Sequence, residues 1–267
     1  MFNQRFLYAA LISTLAIFFH VNALAQSESR SKTIKEINSL NKELSKKEKE
    51  LLSPSAEDKA AFAEFLKQRN TGLIRLLPRG LYEDKMKMYG GGAYYSFTRK
   101  TNEYGYGSDI ELWMITHNQN NGDAILPVPE YRFHTGFAGA DYGFIVTLGD
   151  VPIEEVTLGY DKIKYLVDYR PPSREPEVRA EQRRVGMMNG QYENPSTVPV
   201  NVNYTYALRS INFNHSDVLV AFRVVRQETD GSVVLLLLVL LLLIQFIILI
   251  FILLFLDLQG AEAASGE

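Results

Sequence analysis

Residues 233–256 read VVLLLLVLLLLIQFIILIFILLFL, an uncharged apolar run that only Gln245 interrupts. About 20 such residues in a helix cross the hydrocarbon core of a bilayer, so the run is long enough to span with some tilt. At roughly −0.3 to −0.6 kcal/mol for each central Leu, Ile, Phe or Val, its insertion free energy is on the order of −10 kcal/mol. The run therefore predicts a transmembrane helix over 233–256, with a short tail over 257–267.

Two other interpretations of this run remain open. Asp230-Gly231 is a hairpin turn signal, so residues 233–237 can begin as a strand that pairs with the strand before the turn, leaving 238–256 as the span. The run can also be an atypical apolar tail added to an otherwise secreted β protein. A buried core helix is disfavoured, because it would need protein on every side and only eleven mostly polar residues follow.

The polar side chain of Gln245 is the one candidate for a contact within the bilayer. A hydrogen bond from such a residue to a partner helix is worth about 0.6 kcal/mol on average, so the expected self-association is weak. The span has no Gly, Ala, Ser or Thr that would support close helix packing.

The N-terminus has the features of a secretory signal peptide over residues 1–25. Arg5 precedes an apolar segment over 6–19, and Ala23-Leu24-Ala25 provides a cleavage site after Ala25. An uncleaved signal anchor is the alternative, and both place the bulk of the chain outside the cytoplasm. Two arginines before the C-terminal run and none after it oppose this orientation, but a long translocated domain responds little to so small a bias.

Composition excludes several classes of function. The 267 residues carry 28 Lys and Arg against 31 Asp and Glu, a formal net charge of −3, which argues against nucleic acid as a partner. Cysteine is absent, which excludes disulfides, thiolate catalysis and cysteine metal sites. A cysteine-free exported chain is typical of a bacterial envelope, so we expect a single-pass protein on the periplasmic side of the membrane, with the lipid bilayer among its partners.

Between these ends, residues 26–70 predict a helical stalk and residues 71–232 a β-rich extracytoplasmic domain. The stalk helix over 33–52 places a narrow apolar stripe among Lys and Glu, which favours a solvated helix over a short coiled coil. Ser55 and Asp58 form a predicted capping box for a second helix. The domain alternates in period two and predicts an antiparallel β-sandwich or a barrel-like fold. The predicted strands are 93–98, 110–115, 131–138, 142–148, 163–169, 204–213 and 218–226.

Two segments of the β domain have less regular patterns. Residues 170–199 are rich in Pro, Arg and Glu, and predict a mobile excursion with a helical turn over 175–185, or a functional loop. Tyr89-Gly90-Gly91-Gly92 is dense in glycine, but it enters a strand and lacks the Lys and Ser or Thr of a phosphate-binding loop. It therefore predicts a bend or bulge.

Aromatic residues supply the candidate binding residues. Tyrosine combines an apolar ring with a polar tip and suits ligands that are partly solvated, although some of these rings will be plain core. A segment of glycines and aromatics over 136–144 could line a flat groove for a sugar or peptide. The candidate ligand-binding residues are Tyr94, Tyr95, Tyr104, Tyr106, Phe137, Asp141 and Tyr142.

No catalytic set, metal site or cofactor motif emerges from the sequence. The histidines at 117, 134 and 215 have no metal-ligand spacing. We therefore expect a membrane-anchored, non-catalytic binding or assembly module for an envelope protein or glycan. The alternative from another class is an anchored envelope hydrolase that uses paired carboxylates such as Asp109 and Asp141.

Overall fold

The computed structural model describes residues 29–102, 104–105, 107–120, 125–136, 141–187 and 196–244. The chain divides into two compact units, Met1–Glu50 and Leu51–Glu267. The predicted signal peptide, Gln245 and the tail over 257–267 lie outside the described residues. The first unit is therefore described only by its helix, and the second contains both sheets.

Helix α1 covers residues 29–52, which confirms the helix predicted over 33–52. Within the first unit, the apolar stripe of Ile34, Ile37, Leu40 and Leu44 is 45 to 60 % exposed. Charged side chains surround it, with Lys46 Nζ 3.8 Å from Glu50 Oε1 one turn later. The coiled coil stays a prediction.

Five further helices and nine strands follow in the described part of the second unit. The helices are α2 (Ala56–Ala61), α3 (Ala63–Leu66), α4 (Arg79–Tyr82), α5 (Lys164–Asp168) and α6 (Glu175–Met187). The strands are β1 (Thr71–Leu76), β2 (Tyr94–Tyr95), β3 (Ile110–Asn120), β4 (Ile125–His134), β5 (Asp141–Gly149), β6 (Thr197–Pro199), β7 (Thr205–Asn212), β8 (Ser216–Gln227) and β9 (Val233–Ile244).

The strands form two antiparallel sheets, which confirms that the domain is mainly β. The first sheet has the order β1-β9-β8-β7-β5 and the second has the order β2-β3-β4-β6. One hydrophobic cluster contains residues of both sheets, including Phe133 of β4 and Phe222 of β8, whose ring centroids lie 5.0 Å apart. The two sheets therefore pack face to face.

Strand β9 corrects the prediction made for the apolar run. Val233–Ile244 is a strand of the five-stranded sheet, where Leu235 pairs with Ile74 of β1 and with Val224 of β8. The transmembrane helix predicted from Val233 is therefore wrong over its first twelve residues. The alternative of a strand after the Asp230-Gly231 turn is confirmed, and the strand extends well beyond Leu237, where that alternative ended it.

Strand β9 is apolar on both faces because protein covers both faces of its sheet. Val233, Leu235 and Leu237 face the cluster between the sheets, whereas Leu236 faces a second cluster on the far side. A strand buried on two sides appears in sequence as a continuous apolar run without alternation, and periodicity alone cannot distinguish it from a buried or membrane helix.

Little of the run remains for a membrane. Twelve residues, 245–256, follow β9 before the first charged residue, fewer than the roughly 20 that a spanning helix needs. Of the helices in the described ranges, none combines the length and the apolar character needed to cross a bilayer.

Helices cover the outer face of the five-stranded sheet. Val178 and Val185 of α6 are buried in the second cluster, so residues 175–187 form a packed helix rather than a mobile excursion. The strand predicted over 163–169 is wrong, since a 3-10 turn and α5 occupy it. The spacing of the buried residues explains the error: Ile163 and Leu166 are three apart, as on one face of a helix, while Tyr165 between them is exposed.

Two local predictions are confirmed at the start and end of the β domain. Ser55 and Asp58 form the capping box of α2, and Asp58 also accepts two hydrogen bonds of 2.6 and 2.8 Å from Arg226 of β8. Gly231, at φ +81°, turns the chain from β8 into β9, and a Cβ there would lie 2.2 Å from the ring of Tyr131.

Candidate functional site

A polar cleft of about 180 Å³ lies on the outer face of the four-stranded sheet. Three tyrosines and three ionisable side chains line it. They are Arg79, Tyr89, Tyr94, Tyr104, Glu111 and His134.

Strand pairing explains why Glu111 and His134 meet in this cleft. The two residues are partners in the β3–β4 ladder, so their side chains stand on the same face. Their neighbours Leu112 and Phe133, also paired, point the other way into the core and are fully buried. The alternation of inward and outward residues was predicted for β3, but the pairing of β3 with β4 was not.

Glu111 is the centre of the hydrogen-bond network in the cleft. Its side chain is only 3 % exposed, and Oε1 accepts a hydrogen bond of 3.2 Å from Nη1 of Arg79. Oε2 lies 3.2 Å from Nδ1 of His134. The hydroxyl of Tyr94 also hydrogen-bonds to this carboxylate. A buried carboxylate held by three partners is fixed in place, so it can present a constant arrangement of charges to a ligand.

Tyr94 and Arg79 complete the floor of the cleft. Burial, followed by the neighbouring Glu111, raises the pKa of Tyr94 well above its usual value, so the phenol stays protonated and donates. Arg79 begins helix α4, where its Nε donates to Glu83 at 3.1 Å, and its guanidinium lies 5.9 Å from the centre of the Tyr94 ring. The cation is therefore fixed between two carboxylates and an aromatic face.

Tyr89 and Tyr104 form the aromatic wall of the cleft. Their ring centroids lie 5.0 Å apart, and Tyr104 packs edge-on against Tyr94 at 4.7 Å. Tyr89 is 64 % exposed. The wall therefore offers an aromatic surface to solvent at the mouth of the cleft.

The triple glycine positions this wall. Gly90, Gly91 and Gly92 have φ of +80°, +60° and +79°, and a Cβ on Gly90 would lie 2.5 Å from the Tyr94 ring. The segment is a left-handed turn, in agreement with the predicted bend. A side chain there would push Tyr94 out of the cleft.

The polar face continues from the cleft along β3 and β4. Trp113 follows Glu111 on the same face, is 42 % exposed and has its ring 6.0 Å from that of His134. Farther along, Glu130 bonds to His117 at 2.6 Å and to Arg132 at 2.5 Å. The outer face of the hairpin is thus an extended surface of one exposed indole and alternating charges.

The structure brings together two of the seven candidate ligand-binding residues. Tyr94 and Tyr104 line the cleft, whereas Tyr95 points the other way and is 8 % exposed in the core between the sheets. Asp141 and Tyr142 lie in the five-stranded sheet. Tyr106 and Phe137 are outside the described residues.

Asp141 and Tyr142 have a structural role in the docking of α6. The Tyr142 hydroxyl lies 2.9 Å from that of Tyr169, which donates to Glu181 of α6 at 2.9 Å. Gln182 of the same helix donates to Asp141 at 3.2 Å. These contacts attach the helix to β5.

Asp109 and Asp141, the predicted acid pair, have different hydrogen-bond donors, although Asn212, which donates to Asp109, is the ladder partner of Asp141. Asp109 precedes β3 and is fully buried, accepting from the Phe97 amide at 2.7 Å and from Asn212 at 3.1 Å. Burial raises its pKa to about 7. Asp141 begins β5 in the other sheet. Among the described residues, no group of three or more His, Cys, Asp or Glu could hold a metal ion.

Arg79 was missed by sequence reasoning, and Tyr89 was considered only as part of the glycine turn. Glu111 was considered among several carboxylates that could pair as acid and base and was interpreted as a turn or surface residue, and His134 was set aside because no metal spacing contained it. Only the register of β3 with β4 brings Glu111 and His134 together, and the sequence of either strand alone does not determine that register.

The fold and cleft define a two-sheet antiparallel β domain with an aromatic-walled polar site. The sequence matches no family model, and neither a curated protein nor a solved structure is similar to it.

Proposed function

We propose that the chain is a non-catalytic binding module that takes a glycan in the cleft between Tyr89 and Glu111. The observation that carries the proposal is the exposed Tyr89–Tyr104 wall beside a buried Glu111 that Arg79 and His134 hold in place. A sugar ring has an apolar face of C–H groups and an edge of hydroxyls. An aromatic surface next to fixed donors and acceptors complements both.

The hydrogen-bonding state of Glu111 favours binding over catalysis. Both carboxylate oxygens already accept from protein groups, which makes Glu111 a fixed acceptor for ligand orientation. A general acid or base must instead reach the proton that it transfers, within about 2.6–3.2 Å. The proposal therefore rests on recognition rather than on acid–base chemistry.

Binding of the full-length chain to an oligosaccharide array of neutral, amino and uronic sugars tests this function. For an oligosaccharide that binds, Tyr89→Ala should weaken the interaction about tenfold or more, as loss of an aromatic anchor commonly does. Tyr165→Ala is the matched control, since Tyr165 is 51 % exposed but lies on α5. An array without binding, or equal losses for the two variants, would contradict the proposal.

We also propose that the chain is exported, with residues 1–25 as the signal peptide and the binding module on the extracytoplasmic side. The basis is the order of charge, apolar segment and Ala-Leu-Ala in the sequence. Mass spectrometry of the chain from an expressing bacterium should show an N-terminus at Gln26. Recovery from the cytosolic fraction of a chain that retains Met1 would exclude the proposed export.

Any attachment to the membrane is assigned, in this proposal, to residues 245–256. An apolar segment of eleven residues after Gln245 is typical of an interfacial segment rather than of a span. Carbonate washing of membranes should therefore release the chain, whereas a spanning protein would resist it. Deletion of residues 245–267 should release the chain without the wash.

A further inference from the structure

A cleft separate from the glycan site and lined mainly by apolar side chains opens between the two sheets at the start of β1. Its volume is about 270 Å³, slightly below the roughly 300–1,000 Å³ of typical ligand pockets. Strands β1 and β9 form one wall, and Tyr95 of β2 and Phe97 of the following turn face them. The cleft therefore leads from the surface into the core between the sheets.

Gly72 creates the space in this cleft. On the inner face of β1, Gly72, Ile74 and Leu76 alternate, and Gly72 pairs with Leu237 of β9. Its φ is not in the left-handed range, and a Cβ would meet Leu237 at 3.5 Å, an ordinary contact. Neither backbone conformation nor crowding requires glycine here. A glycine inside a strand without such a reason often marks a close approach by a ligand.

The walls of the cleft are apolar, and its polar groups are largely engaged. Val239, Leu240 and Leu241 of β9 line the cleft and are half-buried. The hydroxyl of Thr71 donates to the carbonyls of Phe65 and Gln68, at 3.1 and 2.8 Å. The carbonyl of Asn70 accepts from the amide of Val239 at 2.8 Å. These polar groups of Asn70 and Thr71 therefore already have protein partners.

Among the described residues that line the cleft, Lys100 is the only charged one. It is exposed and sits in a turn at φ +54°. A non-glycine residue in that conformation is strained, and such residues are commonly found at ligand sites. The cleft thus pairs an apolar interior with a single positive charge.

We propose that this cleft binds a medium-chain fatty acid, with the alkyl chain beside Gly72 and the carboxylate at Lys100. The small volume admits one chain rather than two. The positive charge of Lys100 favours a ligand with an anionic head group. This site is independent of the proposed glycan site, which lies on the outer face of the other sheet.

Titration of the full-length chain with laurate below its micellar concentration tests the proposal. We expect one saturable site and stronger binding from octanoate to laurate, by about fourfold for each CH₂ until the cleft is full. Dodecyltrimethylammonium has the same tail and the opposite charge, so it should bind several-fold more weakly. Equal binding of the two would overturn the proposal, and so would tighter binding of a lysophospholipid than of laurate.

Variants of the cleft provide the second arm of the test. Gly72→Leu fills the space and should abolish laurate binding, and Gly72→Ala should reduce it while raising the midpoint of urea unfolding. Lys100→Gln should weaken laurate binding about threefold to fivefold, as expected for an exposed ion pair. Arg99→Gln is the matched control, because Arg99 is an exposed neighbouring cation that does not line the cleft.

Two outcomes of this arm would overturn the proposal. One is wild-type laurate affinity in a folded Gly72→Leu or Gly72→Ala chain. The other is binding that occurs only after deletion of residues 245–267, because the chain itself would then be the occupant of the cleft.

Discussion

The guanidinium of Arg209 on β7 is paired with the carboxylate of Asp217 on β8 by two hydrogen bonds, 2.8 Å from Nε and 2.7 Å from Nη2. Both residues are buried beneath the helical layer. The remaining donor of Arg209, Nη1, bonds to the carbonyls of Leu166 and Tyr169 at the end of α5. This ion pair therefore also attaches α5 to the five-stranded sheet.

Removal of one partner of this pair should be strongly destabilising. Arg209→Met leaves the Asp217 carboxylate buried without a counter-charge, and we expect a loss of about 3–5 kcal/mol in the free energy of unfolding by urea. The double variant Arg209→Met with Asp217→Leu should recover most of that loss, because no isolated charge remains. A double variant as unstable as the single one would mean that the pair itself supplies the stability.

The buried carboxyl of Asp109 should make stability depend on pH. Its pKa of about 7 in the folded chain lies above the unfolded value of about 3.9, so the folded state binds more protons between these values. The stabilisation is fully present below about pH 4 and is lost as the pH rises through about 7. The loss is on the order of 4 kcal/mol. Urea unfolding from pH 4.5 to 8 measures it.

Asp109→Asn isolates this effect from other titrating groups. The amide cannot ionise, so the difference in unfolding free energy between the variant and the wild type should grow in favour of the variant as the pH rises. A difference that is constant across the range would show that Asp109 keeps its proton, or its charge, throughout.

The two-sided burial of β9 predicts a pattern of core substitutions. Leu235 faces the cluster between the sheets and Leu236 faces the opposite cluster, so either residue changed to Ala should cost about 2–5 kcal/mol in urea unfolding. Leu240→Ala should cost clearly less, since that residue is only half-buried. If these residues formed a membrane helix instead, the three substitutions would have equal and small effects on the free energy of urea unfolding. Such a result would contradict the assignment of Val233–Ile244 to a strand.

Gly231 and Gly72 should respond in opposite ways to the same substitution. Gly231 has φ +81° and a Cβ there would overlap the Tyr131 ring, so Gly231→Ala should cost about 1 kcal/mol or more. Gly72→Ala, with space and an ordinary φ, should be neutral or stabilising by up to about 1 kcal/mol. Thermal and urea unfolding of both variants measure the contrast.

Local patterns in the sequence were sufficient for features that depend on a few neighbouring residues. The Ser55–Asp58 capping box, the turn at Gly231 and the alternation of Leu112 with Glu111 all follow from chemistry within four residues, and the structure has each of them. Helix α1 was predictable for the same reason, since its apolar spacing has no competing interpretation.

Features that depend on tertiary covering were not predictable. The run that contains Leu235 and Leu236 is equally compatible with lipid and with a sheet covered on both faces, and only the presence of helices over the sheet distinguishes them. The cleft could not be predicted for a related reason. Glu111 and His134 are 23 residues apart and meet through a strand register that neither segment encodes alone.

Because β9 lies between β1 and β8, the five-stranded sheet can be completed only after β9 has been synthesised. Thr71 is synthesised early, but its partner Leu238 is among the last described residues to leave the ribosome. Pairing of β9 with β1 closes a long loop. This step is slow, because the entropy cost of loop closure comes before any stabilising contact forms. Until β1 pairs with it, β9 has one unpaired edge, which favours aggregation and which a holding chaperone would protect.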